Sequence, residues 1–216
     1  MRELAVNTFM SLDGVMQAPG GPDEDPTGGF THGGWAVPYF DDAMMSRMAE
    51  SAPYELLLGR GTYEIFEAHW PHDEGPIADH LNSTRKHVAS TTLDRVEWNN
   101  STLIAGDVAE YVARLKEQDG PEIQVHGSPG LLQTLLRHDL VDEFRIWTFP
   151  VLLGSGKRLF GDGTVPAGLK LVESGASKTG VTTSIYRRAG DVASGSFEFD
   201  EPTDAELERR RQLADS

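Results

Sequence analysis

Two short stretches place a glycine, a hydroxyl side chain and a helix start directly after a buried apolar run. In LLLGRGTYE (Leu56–Glu64) the run ends at Gly59, with Arg60 and Thr62 following. In VHGSPG (Val125–Gly130) it ends at His126, with Gly127, Ser128, Pro129 and Gly130 following. Both have the makings of an anion site. Backbone N–H groups at a helix start favour negative charge. Glycine lets a ligand approach the main chain, proline suits a first helical turn, and a hydroxyl or guanidinium adds donors. Each stretch alone is equally readable as an ordinary strand-to-helix turn. Together they gain weight, because strands of one parallel sheet present their C-terminal turns along the same edge, where ligands bind.

Other chemistry-bearing residues fit less well. Gly154-Ser155-Gly156-Lys157 is not a P-loop, since that pattern needs Gly at 151 and Ser or Thr at 158, where Val151 and Arg158 stand. Nor is it a dinucleotide fingerprint, because Leu159 fills the last glycine's place. It remains a tight turn able to bring backbone close to a ligand. His69, His72 and Asp73 are interrupted by Trp70-Pro71 and lack a third evident ligand, so a polar loop is the default reading over a metal site. His126, at a strand end, either touches a ligand or is a hydrogen-bonded sheet-end histidine. Asp13, in Ser11-Leu12-Asp13-Gly14, is either a turn residue or a substrate-side carboxylate. No nucleophile elbow or framed acidic pair supports a hydrolase.

The elements around these residues read as alternating strands and helices. Leu4–Met10, Tyr54–Gly59, KHVAS, STLIAG, EIQVHG and VDEFRIWTFPVLLG read as strands. Helices are expected over Phe40–Ala49, after Gly59, over Pro76–Thr84, over Asp107–Gly120 and over Gly130–His138. Two further strands meet at a Lys-Thr-Gly turn within 168–188. This order predicts a mainly parallel α/β sheet closed by an antiparallel hairpin. Ser11 to Tyr39 is a Gly/Pro-rich loop of the length found in lids and binding loops.

The chain has 216 residues and a net charge of −15. Nucleic acid and anionic membrane are therefore poor partners, and a phosphate-bearing ligand must be held by local features. The absence of cysteine removes disulfides, thiolate catalysis and Cys-ligated zinc, and is compatible with a cytoplasmic protein. No stretch has a signal peptide's apolar region or membrane-spanning length. From Asp191 on, eight acidic residues face three arginines. There Phe197 and Phe199 alternate as in a short strand, and Thr203 with Glu206 form a capping box for a charged helix.

In this order, SLDGVM, LLLGRGTYE, KHVAST and LVDEFRIWTFPVLLGSGKRLF resemble the reductase domain of bacterial riboflavin biosynthesis, over roughly Arg2 to Arg188. The resemblance implies a dihydrofolate-reductase-like α/β fold for residues 1–189, with 190–216 as an acidic extension. It implies NADPH across the C-terminal edge of the sheet and hydride transfer to a small heterocycle, as in 5-amino-6-(5-phosphoribosylamino)uracil reductase. Gly59, Arg60 and Thr62 match the turn holding the adenosine-side phosphates, and Ser90 and Thr91 match a pair contacting the same region. Gly127 and Ser128 match a Gly-Gly pair facing the pyrophosphate, Ser128 departing from the second glycine. Pro129 and Gly130 continue the helix start. Val151, Leu152 and Gly154 fall where the riboflavin reductases pass near nicotinamide and substrate.

Three departures narrow the function. WAVPYFDD aligns on the Trp-x-x-Pro segment of dihydrofolate reductase so that Phe40 takes the place of the folate-binding carboxylate. Asp41, one residue later, is turned by about 100° on a helix, which argues against dihydrofolate reduction. Riboflavin reductases often carry an N-terminal zinc deaminase with His and Cys ligands. This chain begins at the reductase strand and has no cysteine, so such an activity is expected on another protein. No arginine set for a ribose phosphate is evident near the long loop. The expectation is an NADPH-dependent oxidoreductase acting on CH-OH or CH-NH type groups, with Asp13, Asp41 or a water as proton donor, assembled as a homodimer. The alternatives are a non-catalytic nucleotide or heterocycle binder and a reductase of another pterin- or flavin-like compound.

Overall fold

The computed structural model describes residues 1–49, 53–162, 164–197 and 201–214. Strands β1 (Leu4–Ser11), β2 (Tyr54–Gly59), β3 (Lys86–Ala89), β4 (Ser101–Leu103), β5 (Glu122–Val125), β6 (Glu143–Phe149), β7 (Leu169–Ala176) and β8 (Thr182–Arg188) form one sheet in the order β4-β3-β2-β5-β1-β6-β8-β7. Pairing is parallel from β4 through β6. It is antiparallel where β8 joins β6 and β7 joins β8. The sheet is thus the mainly parallel one expected, closed by the hairpin.

Period-two alternation sets the two faces. Leu4, Val6, Ile123 and Val125 turn toward α4 (Val108–Glu117) and α5 (Pro129–Arg137), which bury Val112, Leu115, Leu132 and Leu135 against them. Tyr54, Leu56 and Leu58 face the other way, onto Tyr63 of α2 (Arg60–His69) and Leu81 of α3 (Pro76–Ser83). Beside them an aromatic cluster centres on fully buried Phe149, with Trp35 and Phe40 edge or tilted against it at 5.3 and 6.0 Å.

The start of α1 and the end of β6 depart from the sequence reading. Helix α1 (Asp42–Ala49) starts two residues later than expected, because Phe40 is extended and the Asp41 carboxylate accepts the N–H of Met44 at 2.9 Å. Strand β6 stops at Phe149, because Pro150 has no N–H for the ladder. The sheet ends in β4 on one side and β7 on the other, and β6 is covered by β8. Helix α6 (Asp204–Ala214) forms in the extension and buries none of its described residues. Phe197 is exposed, and Phe199 lies outside the described residues, so the short strand expected there is not assessed. The Thr203 hydroxyl accepts the N–H of Glu206 as expected, but the Glu206 carboxylate turns to Arg209 and Arg210 instead of closing the box.

Among the described residues no helix is long and apolar enough to cross a membrane. The loop after β1 is pinned rather than free. Gln17 donates to the carbonyls of Asp25 and Thr27 and accepts the N–H of Lys157, and Trp35 donates to the Gln17 carbonyl. Gly156 packs so closely on this loop that a Cβ there would meet Val15 at 2.6 Å. The Gly-Ser-Gly-Lys turn therefore anchors the loop.

Candidate active site

The two glycine turns converge through one hydroxyl. Adjacent parallel strands β2 and β5 bring Gly59 and Gly127 to the same edge. Ser128 Oγ accepts the N–H of Gly59 at 2.8 Å and donates to Thr62 Oγ1 at 2.8 Å. A Cβ on Gly59 would approach Ser128 Cβ to 2.8 Å, so this closeness requires glycine. Gly127 has φ +123° and Ser128 has φ +64°, both left-handed. For a serine that conformation costs roughly 1–2 kcal/mol, which the two hydrogen bonds offset. Neither α2 nor α5 has a side-chain cap, so the first-turn N–H groups of both helices stay unclaimed by capping side chains.

Farther along the edge, Arg60 is exposed and donates to Thr92 Oγ1 at 3.2 Å. Ser90 Oγ accepts the N–H groups of Thr92 and Leu93, which shapes the turn after β3. Thr91 is exposed beside it. The sequence reading named Thr91 and missed Thr92, the hydroxyl that Arg60 reaches.

Inside this edge opens a cleft of about 890 Å³. Thr62, Gly127, Ser128 and Pro129 form part of its wall, and Met16 to Asp25 of the long loop form another. Phe9, Phe40 and Trp147 supply aromatic surface, Phe9 standing edge-on to Phe40 at 5.4 Å and to Trp147 at 6.2 Å. Gly59, Arg60, Ser90, Thr91 and Gly130 lie outside the cleft lining.

A polar relay crosses the neighbouring strands. Trp147 Nε1 donates to Asn7 Oδ1 at 3.2 Å, and Asn7 Nδ2 donates to Gln124 Oε1 at 3.4 Å. His126 Nε2 meets the same Gln124 oxygen at 2.6 Å, while Gln124 Nε2 donates to Glu122 at 2.7 Å. Arg145 clamps Glu122 with two bonds of 2.6 and 2.7 Å. The polarity is fixed from both ends, because indole only donates and carboxylate only accepts. His126 Nε2 therefore carries the proton. Burial, aided by neighbouring His80 and Arg145, pushes its pKa down to about 4, so the ring is neutral with Nδ1 a bare acceptor. Sequence reasoning singled out His126 but missed Asn7, Gln124, Arg145 and Trp147. The available signal was the run of polar residues at every second position, Glu122, Gln124 and His126, in a strand buried on both sides.

Asp13 and Gly154 form a separate cluster. Asp13 accepts from Ser11 Oγ at 2.6 Å and from the N–H groups of Leu153 and Gly154 at 3.1 and 2.8 Å. The Ser11 hydroxyl, followed by those two N–H groups, holds its pKa at about 2. An ionised Asp13 carries no proton at neutral pH, and it does not line the cleft. Asp41 caps α1 and is likewise absent from the lining. Val151 packs into the aromatic cluster, Leu152 is 73% exposed, and Gly154 has φ +76° in the turn that holds Asp13. None of these three lines the cleft. His69 and Asp73 form an exposed pair at 3.6 Å, and among the described residues no group of three or more His, Cys, Asp or Glu is arranged to hold a metal.

A parallel sheet with this strand order, an antiparallel closing hairpin and a cleft at its C-terminal edge defines a dihydrofolate-reductase-like protein. The model of the RibD C-terminal domain family matches residues 2–183, and the chain belongs to that family. An uncharacterised protein of Bacillus subtilis (strain 168), YyaP, is 31% identical over 140 residues, which is 62% of this chain and 74% of that protein. A solved structure of a protein assigned to riboflavin biosynthesis from Shewanella sp. PV-4 is 23% identical, with a TM-score of 0.62 over 87% of this chain and 99% of that one. Dihydrofolate reductase from Enterococcus faecalis, complexed with NADP(H) and RAB-propyl, is 16% identical, with a TM-score of 0.55 over 86% of this chain and 96% of that one. These likenesses establish the fold.

Proposed function

We propose that the protein is an NADPH-dependent reductase that delivers hydride to a small heterocycle held in the cleft. The observation that carries this reading is the Ser128 bridge, which sets two uncapped helix N-termini side by side at the cleft mouth. Such paired N-termini suit a pyrophosphate. Gly127 offers it main chain without a side chain, and Arg60 with Ser90, Thr91 and Thr92 suits the additional phosphate that distinguishes NADPH from NADH. When bound, the cofactor supplies the hydride.

The chain's own residues position and shield. Phe9, Phe40 and Trp147 cover the faces of a planar acceptor and exclude water, and Asn7 and His126 orient its polar edge. Asp13 and Asp41 are engaged in backbone hydrogen bonds, so proton delivery falls to water in this reading. A homodimer and a cytoplasmic location belong to the same proposal. The exposed edge strand β7, with Leu169, Leu171 and Val172 open to solvent, and the uncovered α6 favour a second subunit.

The test is loss of reduced-nicotinamide absorbance with NADPH and a panel of oxidised pyrimidines, pterins and flavins. Turnover with at least one is expected, and dihydrofolate should be poor because Phe40 offers it no carboxylate. NADPH that binds but is oxidised by no acceptor would point to a carrier or sensor. NADPH that does not bind would overturn the reading.

A further inference from the structure

We propose that the cleft selects uncharged or cationic planar substrates presenting an N–H or O–H donor, and turns away phosphorylated or carboxylated ones. This names the substrate class for the reductase reading above and rests on it. It also departs from the phosphoribosyl substrate that the resemblance to riboflavin reductases implies.

Charge on the cleft wall carries the inference. Three basic side chains other than histidine line it, Arg47, Arg145 and Lys157, and each is already held by carboxylates. Arg47 pairs with Glu173 at 2.7 Å and donates to Thr183. Arg145 pairs with both Glu122 and Glu143 at 2.6 Å. Lys157 pairs with Asp25 at 2.5 Å. Asp23 and Glu24 then stand on the same wall in excess of the cations. Glu24 is locked there by the N–H groups of Gly20 and Gly21. With the Gly127–Ser128 turn taken by the cofactor, a substrate phosphate must strip a carboxylate from its partner or sit against this acidic loop, and like charges in a partly desolvated cleft repel strongly.

The uncharged features point the same way. The aromatic surface of Phe9, Phe40 and Trp147 suits a flat ring. The relay from Trp147 to Glu122 leaves His126 Nδ1 as the acceptor to be satisfied, because Nε2 is engaged with Gln124. An unmatched acceptor favours a ligand bearing a donor over one bearing another lone pair.

A matched pair of probes tests this in the full chain. Riboflavin and riboflavin 5′-phosphate share one planar ring and differ by one phosphate. Flavin fluorescence is titrated with protein holding saturating oxidised NADP, which fills the Gly127–Ser128 turn and supplies no hydride. Riboflavin should bind about tenfold tighter or more, the scale of one unfavourable charge contact. The gap should shrink in high salt, and Glu173→Gln, which frees Arg47, should narrow it further. Equal or tighter binding of the phosphate ester overturns the proposal, and so does failure of both flavins to bind. A separate titration with NADPH reports on the reductase reading alone. Failure there sinks the reductase reading, whereas NADPH binding without a preference for riboflavin sinks only the substrate class, so the two claims fall separately.

Discussion

The Ser128 hydroxyl sits 2.8 Å from the backbone nitrogen of Gly59, across 69 residues of chain, and this contact ties the two candidate phosphate turns into one surface. Ser128→Ala removes the acceptor and leaves the Gly59 N–H buried without its partner. A loss of about 1–3 kcal/mol in stability is expected from denaturant melts, with weaker NADPH binding alongside. Gly59→Ala should destabilise by collision with Ser128, and adding Ser128→Gly should recover part of that loss, a non-additive cycle. Additive losses would show that the two residues do not meet.

In the reading proposed above, Asp13 holds the turn at Leu153 and Gly154 and delivers no proton. Asp13→Asn weakens its hold on Leu153 and Gly154, and the melting midpoint should fall by the equivalent of about 1–2 kcal/mol while NADPH affinity stays unchanged. A variant of undiminished stability that has lost turnover would restore Asp13 as a catalytic acid.

Acid should destabilise the protein through His126. Its pKa is about 4 in the folded chain against 6.5 when free, so the unfolded chain binds more protons between these values. The contribution is complete above pH 6.5 and is lost as pH falls toward 4. His80 and His87, also lowered chiefly by burial, add to the loss in the same direction as pH falls below 6.5. His126→Gln should flatten the decline without abolishing it, and the His126 ring resonance should titrate near pH 4. A titration near 6.5 would contradict the buried neutral ring.

The extension is expected to act between subunits, since none of the described residues of α6 is buried. Truncation after Gly190 should lower both the sedimenting mass and the thermal midpoint. If both stay unchanged, the extension is neither an edge cover nor a dimer element.

The sheet and the paired glycine turns were legible in the sequence because each depends on local pattern. Apolar runs of strand length end at Gly59 and His126, and turn chemistry follows at once. The position of β6 as an internal strand was not legible, since only pairing with β8 covers it. The backbone partners of Asp13 and Asp41 were not legible for a related reason. A carboxylate reads the same whether it faces substrate or caps a backbone, and the partners of Asp13 lie about 140 residues away. The relay of Asn7, Gln124, His126 and Trp147 joins three strands, and only the register of β1 with β5 and β6 brings it together.

The most direct measurement of the central claim is calorimetric titration of NADPH and NADH into the wild-type chain and into Arg60→Ala. NADPH should bind the wild type more tightly than NADH. Removing Arg60 should cost NADPH about 1.5–3 kcal/mol, the scale of a hydrogen bond to a charged group, and NADH little. Equal losses for the two cofactors, or no binding of either to the wild type, would contradict the assignment of this edge to NADPH.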